Sequence, residues 1–123
     1  MKWNIDSERP VYIQLIEQIQ AGIVSGLFRP GDRLPSVRDL AAEARVNPNT
    51  MQRALSELER THLIYTQRTN GRYITSDLEM IKELKRQSAQ ELIMDFLEKM
   101  KQLGLENDET LEMMTKTVKE MKE

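Results

Sequence analysis

The chain has 123 residues, 39% of them hydrophobic and 31% charged, with a net charge of −2 and no cysteine, so it holds one compact domain plus an appendage rather than two full domains. The lack of cysteine excludes a disulfide framework and any thiolate metal site, in keeping with a reducing cytoplasm. No apolar run reaches the roughly 18 residues that would span a membrane, and Met1–Asp6 has no apolar stretch of the signal-peptide kind.

From Pro10 to Ser25, Tyr12, Leu15, Ile16, Ile19 and Ile23 recur at helical spacing. Pro10 suits a first helical turn, and Gly26 can close the helix in a left-handed conformation. Pro30-Gly31 marks a turn. A second helix is announced by Ser36, with Asp39 three residues on as a variant capping box. It runs to about Ala44, with Val37, Leu40 and Ala41 facing inward. The third helix opens at Asn47-Pro48, a capping side chain followed by Pro at the first helical position. Met51, Ala54, Leu55 and Leu58 fall on one arc and form its buried stripe. Asn49, Arg53, Ser56 and Arg60 lie opposite, flanked by Thr50 and Gln52.

Leu63–Gln67 and Arg72–Thr75 read as strands, and Asn70-Gly71 between them predicts a two-residue hairpin turn with both φ angles positive. The tip then carries Arg68 and Arg72 on either side of Gly71. A boundary follows at residue 76. Ser76 with Glu79 is read as a full capping box opening a long helix to about Leu103, ended by Gly104; Asn107 or Asp108 can cap a last helix. The predicted fold class is mainly α (α+β): an N-terminal winged helix-turn-helix with a two-stranded wing over residues 1–76, then a two-helix C-terminal dimerisation tail over 77–123.

Charge follows this division. Residues 1–76 hold ten Lys/Arg, nine of them Arg, against eight Asp/Glu, whereas residues 77–123 hold eight against twelve. A helix fits the major groove, where Asn and Gln pair bidentately with adenine, Arg with guanine, and Thr meets a thymine methyl or a phosphate. A glycine-tipped hairpin bearing arginines can approach a neighbouring phosphate or the minor groove. Ser36 is first a helix cap, though its hydroxyl and the free N–H groups beside it can also hold a phosphate.

Pro10–Leu15, the run Gly26–Ala41 that includes PGDRLPSVRDLA, then Val46–Thr50, Ala54-Leu55 and Leu58 resemble the GntR family of bacterial repressors over residues 10–75. The short two-helix tail is similar to the YtrA-like subgroup, whose members dimerise through it. The resemblance implies that Arg38 contacts DNA, that Asn47, Asn49, Thr50, Gln52 and Arg53 carry recognition, and that Arg68, Gly71 and Arg72 form the wing contact. The chain departs from many relatives at Asn47-Pro48 and at Thr69–Arg72, so an operator sequence does not carry over. The resemblance also implies repression of the chain's own operon and of linked ABC-transporter genes.

Two amphipathic tail helices cannot bury both apolar stripes on each other, and two-fold pairing with a second copy is the economical solution. The expected dimer interface is Ile81, Leu84, Leu92, Ile93, Phe96, Met100, Leu111, Met114 and Val118. The expected partners are double-stranded operator DNA and a second copy of the chain, with no membrane; a small-molecule effector is not legible. Two rival readings are a ligand sensor holding an apolar molecule between subunits, with Trp3 or the Met-rich tail lining the pocket, and a winged-helix adaptor that binds protein. There is no nucleophile–base pair, metal cluster or phosphate-binding glycine loop, so no enzyme activity, metal or cofactor is expected. His62, the sole histidine, is placed in the turn between the third helix and the first strand.

Overall fold

Local chain chemistry sets the first three helices. Val11–Val24 forms α1, Val37–Ala44 forms α2 and Pro48–Arg60 forms α3 in the computed structural model, which describes residues 1–122. Ser36 Oγ accepts the Asp39 N–H at 3.1 Å, and Asn47 Oδ1 accepts the Asn49 N–H at 2.8 Å, so both expected caps are formed. After α3, β1 (Ile64–Gln67) pairs antiparallel with β2 (Gly71–Ile74), and α4 (Leu78–Gln102) and α5 (Asn107–Met121) complete the order. The chain divides into two units, Met1–Leu84 and the remainder from Lys85.

In the first unit, α3 packs on both α1 and α2. Met51, Ala54, Leu55 and Leu58 are fully buried with Leu15 and Ile19 of α1, Leu40 and Ala41 of α2, and Ile64 and Ile74 of the hairpin. Burying four such faces in one cluster fixes all three helices and the hairpin relative to each other. Met80, Ile81 and Leu84 in the first turns of α4 are half-buried against the same cluster. Ile81 and Leu84, expected in a dimer stripe, thus already cover apolar surface within this unit.

The hairpin departs from the expected turn. Its register pairs Ile64 with Ile74, Tyr65 with Tyr73 and Gln67 with Gly71, leaving a three-residue loop, Arg68–Asn70. The Asn70 N–H donates to the Gln67 carbonyl at 3.1 Å, and Gly71 alone in the loop region takes a positive φ, +96°. That is a turn followed by a left-handed glycine, the usual three-residue solution. A two-residue turn at Asn70-Gly71 would slide Ile74 away from Ile64. Burial of both isoleucines and stacking of Tyr65 on Tyr73, with ring centroids 5.7 Å apart, outweigh the local turn preference.

A third strand segment was not legible in the sequence. Arg33 bridges to Tyr73, the Leu34 N–H donates to the Arg72 carbonyl, and the Ile74 N–H donates to the Asp32 carbonyl, both at 2.8 Å. The segment lies between Pro30 and Pro35, which keeps it short and hides it from strand patterning.

Residues before α1 are tied down by two glutamines. Gln14, only 2% exposed, accepts the Asp6 N–H and donates to the carbonyls of Asp6 and Arg9, while Gln18 exchanges two hydrogen bonds with Asn4. Trp3 is half-buried against the core, and its indole N–H donates to Glu43 at 3.1 Å.

Two other caps differ from expectation by one residue. Asp77 rather than Ser76 caps α4, accepting the Met80 N–H at 3.1 Å. A reciprocal capping box between Glu106 and Glu109 opens α5, in place of Asn107 or Asp108. A carboxylate at either position also meets the positive end of the helix dipole. Gly104, at φ +87°, ends α4 as expected, with the Leu105 N–H returning to the Met100 carbonyl. In the second unit, Leu92 (72%), Ile93, Phe96, Leu111 (65%), Met114 and Val118 are exposed. Among the described residues no helix is long and apolar enough to cross a membrane.

Replacing Gln14 with Ala leaves three part-buried backbone groups, the Asp6 N–H and the Asp6 and Arg9 carbonyls, without their partner. It should lower unfolding stability by about 2–3 kcal/mol, read as a fall in the urea midpoint by circular dichroism. A midpoint unchanged from wild type would contradict the structural role of this side chain.

Candidate nucleic-acid interface

The buried stripe of α3 forces its opposite face outward. Asn49, Gln52, Arg53 and Ser56 are exposed there, and Thr50 is half-buried beside them. This is the face singled out from helical periodicity. Asn47 sits at the N-terminus with its Oδ1 engaged in the cap. Gln52 donates to Ser56 Oγ at 3.2 Å, which orders both side chains along one edge. The Arg53 guanidinium lies over the Tyr12 ring of α1, 3.6 Å from its centroid. A cation stacked on an aromatic face keeps its edge N–H groups available while losing rotational freedom. Tyr12 as a platform for Arg53 was missed in the sequence, where it reads only as part of the α1 stripe.

Arg38 is exposed on α2 and has no hydrogen bond or ion pair among the described residues. Ser36 begins the same helix, where unpaired N–H groups and the dipole favour an anion. Between this end of α2 and the loop end of the hairpin, Arg33, Ser36, Val37, Asp39, Gly71 and Arg72 help line an open groove of about 680 Å³. Arg33 is the cation that sequence reasoning left out, because its place depends on the strand pairing with Tyr73. Gly71 is required here by its backbone conformation. Its φ is left-handed, at +96°, while a Cβ would meet the Arg33 side chain only at ordinary contact distance, 3.4 Å from Nε.

The arginines of α3 and the wing are not equivalent. Arg68 stands exposed at the wing tip with no partner among the described residues. Arg72, by contrast, is half-buried and pairs through Nε with Glu59 near the end of α3, whose carboxylate also accepts from Thr66 Oγ1 at 2.9 Å. Arg60 pairs with Glu57 on the helix surface, and that hydrogen bond holds the Glu57 carboxyl below the usual carboxylate range. Arg38 in the first turn of α2 and Arg68 at the wing tip thus have no partner among the described residues, whereas Glu57 and Glu59 near the C-terminal end of α3 are matched by Arg60 and Arg72. Among the described residues no cluster of His, Cys, Asp or Glu could hold a metal ion. His62 is exposed in the α3–β1 turn at φ +67°, as expected from its position.

Comparison with known proteins supplies an independent view. The family model described as "Bacterial regulatory proteins, gntR family" matches residues 11–74. YhcF of Bacillus subtilis, an uncharacterized HTH-type transcriptional regulator, is 42% identical over 109 residues, covering 89% of this chain and 90% of that protein. The HTH-type transcriptional repressor YtrA of the same organism is 45% identical over 71 residues, 58% of this chain and 55% of YtrA. A GntR family transcriptional regulator from Listeria monocytogenes superposes with a TM-score of 0.84 at 39% identity, covering 91% of this chain and 98% of that one. The DNA-binding domain of AraR, solved in complex with operator ORE1, superposes with a TM-score of 0.52 at 25% identity, covering 61% of this chain and 94% of that one.

The Tyr12–Arg53 stack can be tested by its own geometry. Tyr12→Phe retains the ring and should leave DNA affinity within about two-fold, whereas Tyr12→Leu should weaken it by about three-fold or more. Fluorescence anisotropy with a labelled duplex reads both, and equal effects of the two substitutions would contradict the platform role.

Proposed function

Because the chain belongs to the GntR family of bacterial regulatory proteins and is thereby a DNA-binding transcriptional regulator, we propose that it is a cytoplasmic repressor acting as a homodimer on a palindromic operator. The observation that carries this reading is the polar, outward face of α3, together with Arg38 and Arg68, which have no partner among the described residues. In the proposed complex α3 lies in the major groove. Asn49, Gln52 and Arg53 face base edges, where amide side chains suit adenine and the guanidinium suits guanine. Thr50 meets a thymine methyl or a phosphate. Asn47, engaged in the cap, contributes through its remaining amide group.

Backbone contacts fix the register of such a complex without reading sequence. Ser36 and the N–H groups opening α2 receive one phosphate, Arg38 another, and Arg68 with Gly71 brings the wing onto the adjacent backbone or minor groove. The proposed DNA-contacting set is therefore Ser36, Arg38, Asn47, Asn49, Thr50, Gln52, Arg53, Arg68 and Gly71; Arg72, expected among them, is engaged by Glu59 just below the wing tip and is left out of the set.

The second copy is argued from the tail. Exposed Leu92, Ile93, Phe96, Leu111, Met114 and Val118, with half-buried Met100, leave two helices of the second unit with apolar faces open to water. Contiguous apolar surface of this kind marks an interaction site, and an isologous pairing presents two recognition helices to a site with dyad symmetry. Occupancy of that site would block polymerase. Following YtrA-like regulators, the proposed targets are the chain's own operon and linked ABC-transporter genes, with a signal acting by shifting the dimer between half-site spacings.

Duplexes selected from a random pool by the full-length protein test sequence-specific recognition, because enrichment of an inverted repeat is expected and an unenriched pool would contradict it. Arg38→Ala should weaken binding to every duplex and lower the salt slope by about 0.9 per protomer; unchanged affinity removes Arg38 from the interface. Leu92→Glu with Phe96→Glu should yield monomers by sedimentation velocity, and a persistent dimer would move the interface elsewhere.

A further inference from the structure

One carboxylate in the first unit is placed where neither the recognition helix nor the wing alone requires it. Glu59 stands near the C-terminal end of α3, past the residues read as base contacts. Its Oε1 accepts from Thr66 Oγ1 on β1 and from Arg72 Nε on β2. Thr66 and Arg72 are directly opposite partners across the hairpin, one rung from the Gln67–Gly71 pair that closes the loop. A single side chain therefore grips both strands of the wing just below its tip. The pair is partly shielded, with Arg72 at 21% and Glu59 at 32% side-chain exposure, so solvent weakens it less than a fully exposed pair.

Two consequences follow from elementary electrostatics and geometry. The grip sets the distance and angle between the wing tip and α3, the two elements that must meet adjacent features of one duplex. The same contact cancels a cation. Arg72 lines the groove that Arg33 and Ser36 also line, where a free guanidinium would add phosphate affinity that does not depend on sequence.

We propose that Glu59 is a positioning residue for DNA readout, fixing the wing against α3 and withholding the Arg72 cation from phosphate. Specificity is a difference of affinities. Glu59 raises it from both sides, by holding the wing in register with the recognition helix and by limiting attachment to arbitrary DNA. The proposal rests on the reading of α3 and the wing as the DNA-facing elements.

The test uses the full-length protein and two 30-base-pair duplexes, one selected from a random pool by the wild type and one shuffled to the same composition. Glu59→Gln is isosteric and keeps an acceptor for Thr66, but leaves Arg72 without its counter-charge. It should tighten binding to the shuffled duplex by about three-fold and steepen the salt slope by about 0.9 per protomer. Discrimination between the two duplexes should fall accordingly. Thr66→Val breaks the other half of the grip without changing charge, so it should lower discrimination while leaving the salt slope alone. Arg72→Gln should leave the wild-type slope unchanged, and Glu59→Gln made in that background should no longer steepen it. Thermal melts of all four variants establish that each is folded at the binding temperature.

Wild-type protein that binds neither duplex overturns the DNA-facing reading and this proposal with it. Wild-type protein that binds while Glu59→Gln changes neither slope nor discrimination overturns this proposal alone. A shallower slope in Arg72→Gln also overturns it, because Arg72 would then be touching phosphate in the native complex. Steepening by Glu59→Gln that persists without Arg72 does the same, since the effect would belong to the lost carboxylate and not to the freed cation.

Discussion

The arrangement depends on complete burial of the apolar stripe of α3. Met51, Ala54, Leu55 and Leu58 have no solvent exposure, and each deleted methylene in such a place costs stability. Once that arc is fixed against α1 and α2, the helix has no rotational choice. Asn49, Gln52 and Arg53 must face outward, and the N-terminal end, capped by Asn47, follows directly on the C-terminal end of α2. The outward orientation of this polar face is thus a by-product of core packing.

The same core governs the wing. Ile64 and Ile74 anchor the base of the hairpin in the cluster, and the Glu59–Thr66–Arg72 contact ties its upper part to α3. The third segment around Arg33 pairs with β2 from the other side. The hairpin, α3 and the segment leading into α2 are therefore joined by both apolar and polar links. In the second unit the balance is reversed: apolar residues are exposed, and what is needed to cover them is another surface.

Much of this was legible because its causes are local. Ser36 and Asn47 cap their own helices, the 3.6-residue period of α1 and α3 reports directly on burial, and Gly104 ends α4 where its backbone freedom is needed. What escaped depends on residues distant in sequence. The turn at Asn70-Gly71 reads as a two-residue hairpin until Ile64 and Ile74 set the register. Arg33 gains its place only through pairing with β2, and the Arg72–Glu59 contact spans thirteen residues. Asp77 and Glu106 displaced the expected caps by one position because several polar residues stood next to one another, and the choice between them rests on where the helix meets its surroundings. Ile81 and Leu84 share the stripe of the tail helix, yet they pack on the first unit. Periodicity identifies a buried face without saying what buries it.

The central claim is that two copies of this chain present two α3 helices to symmetric half-sites. Hydroxyl-radical footprinting of the full-length protein on a selected duplex tests it most directly. The account predicts two protected blocks related by a dyad, with centres about 10 base pairs or a multiple of that apart. A single protected block without symmetry, or even protection along the whole duplex, would contradict it.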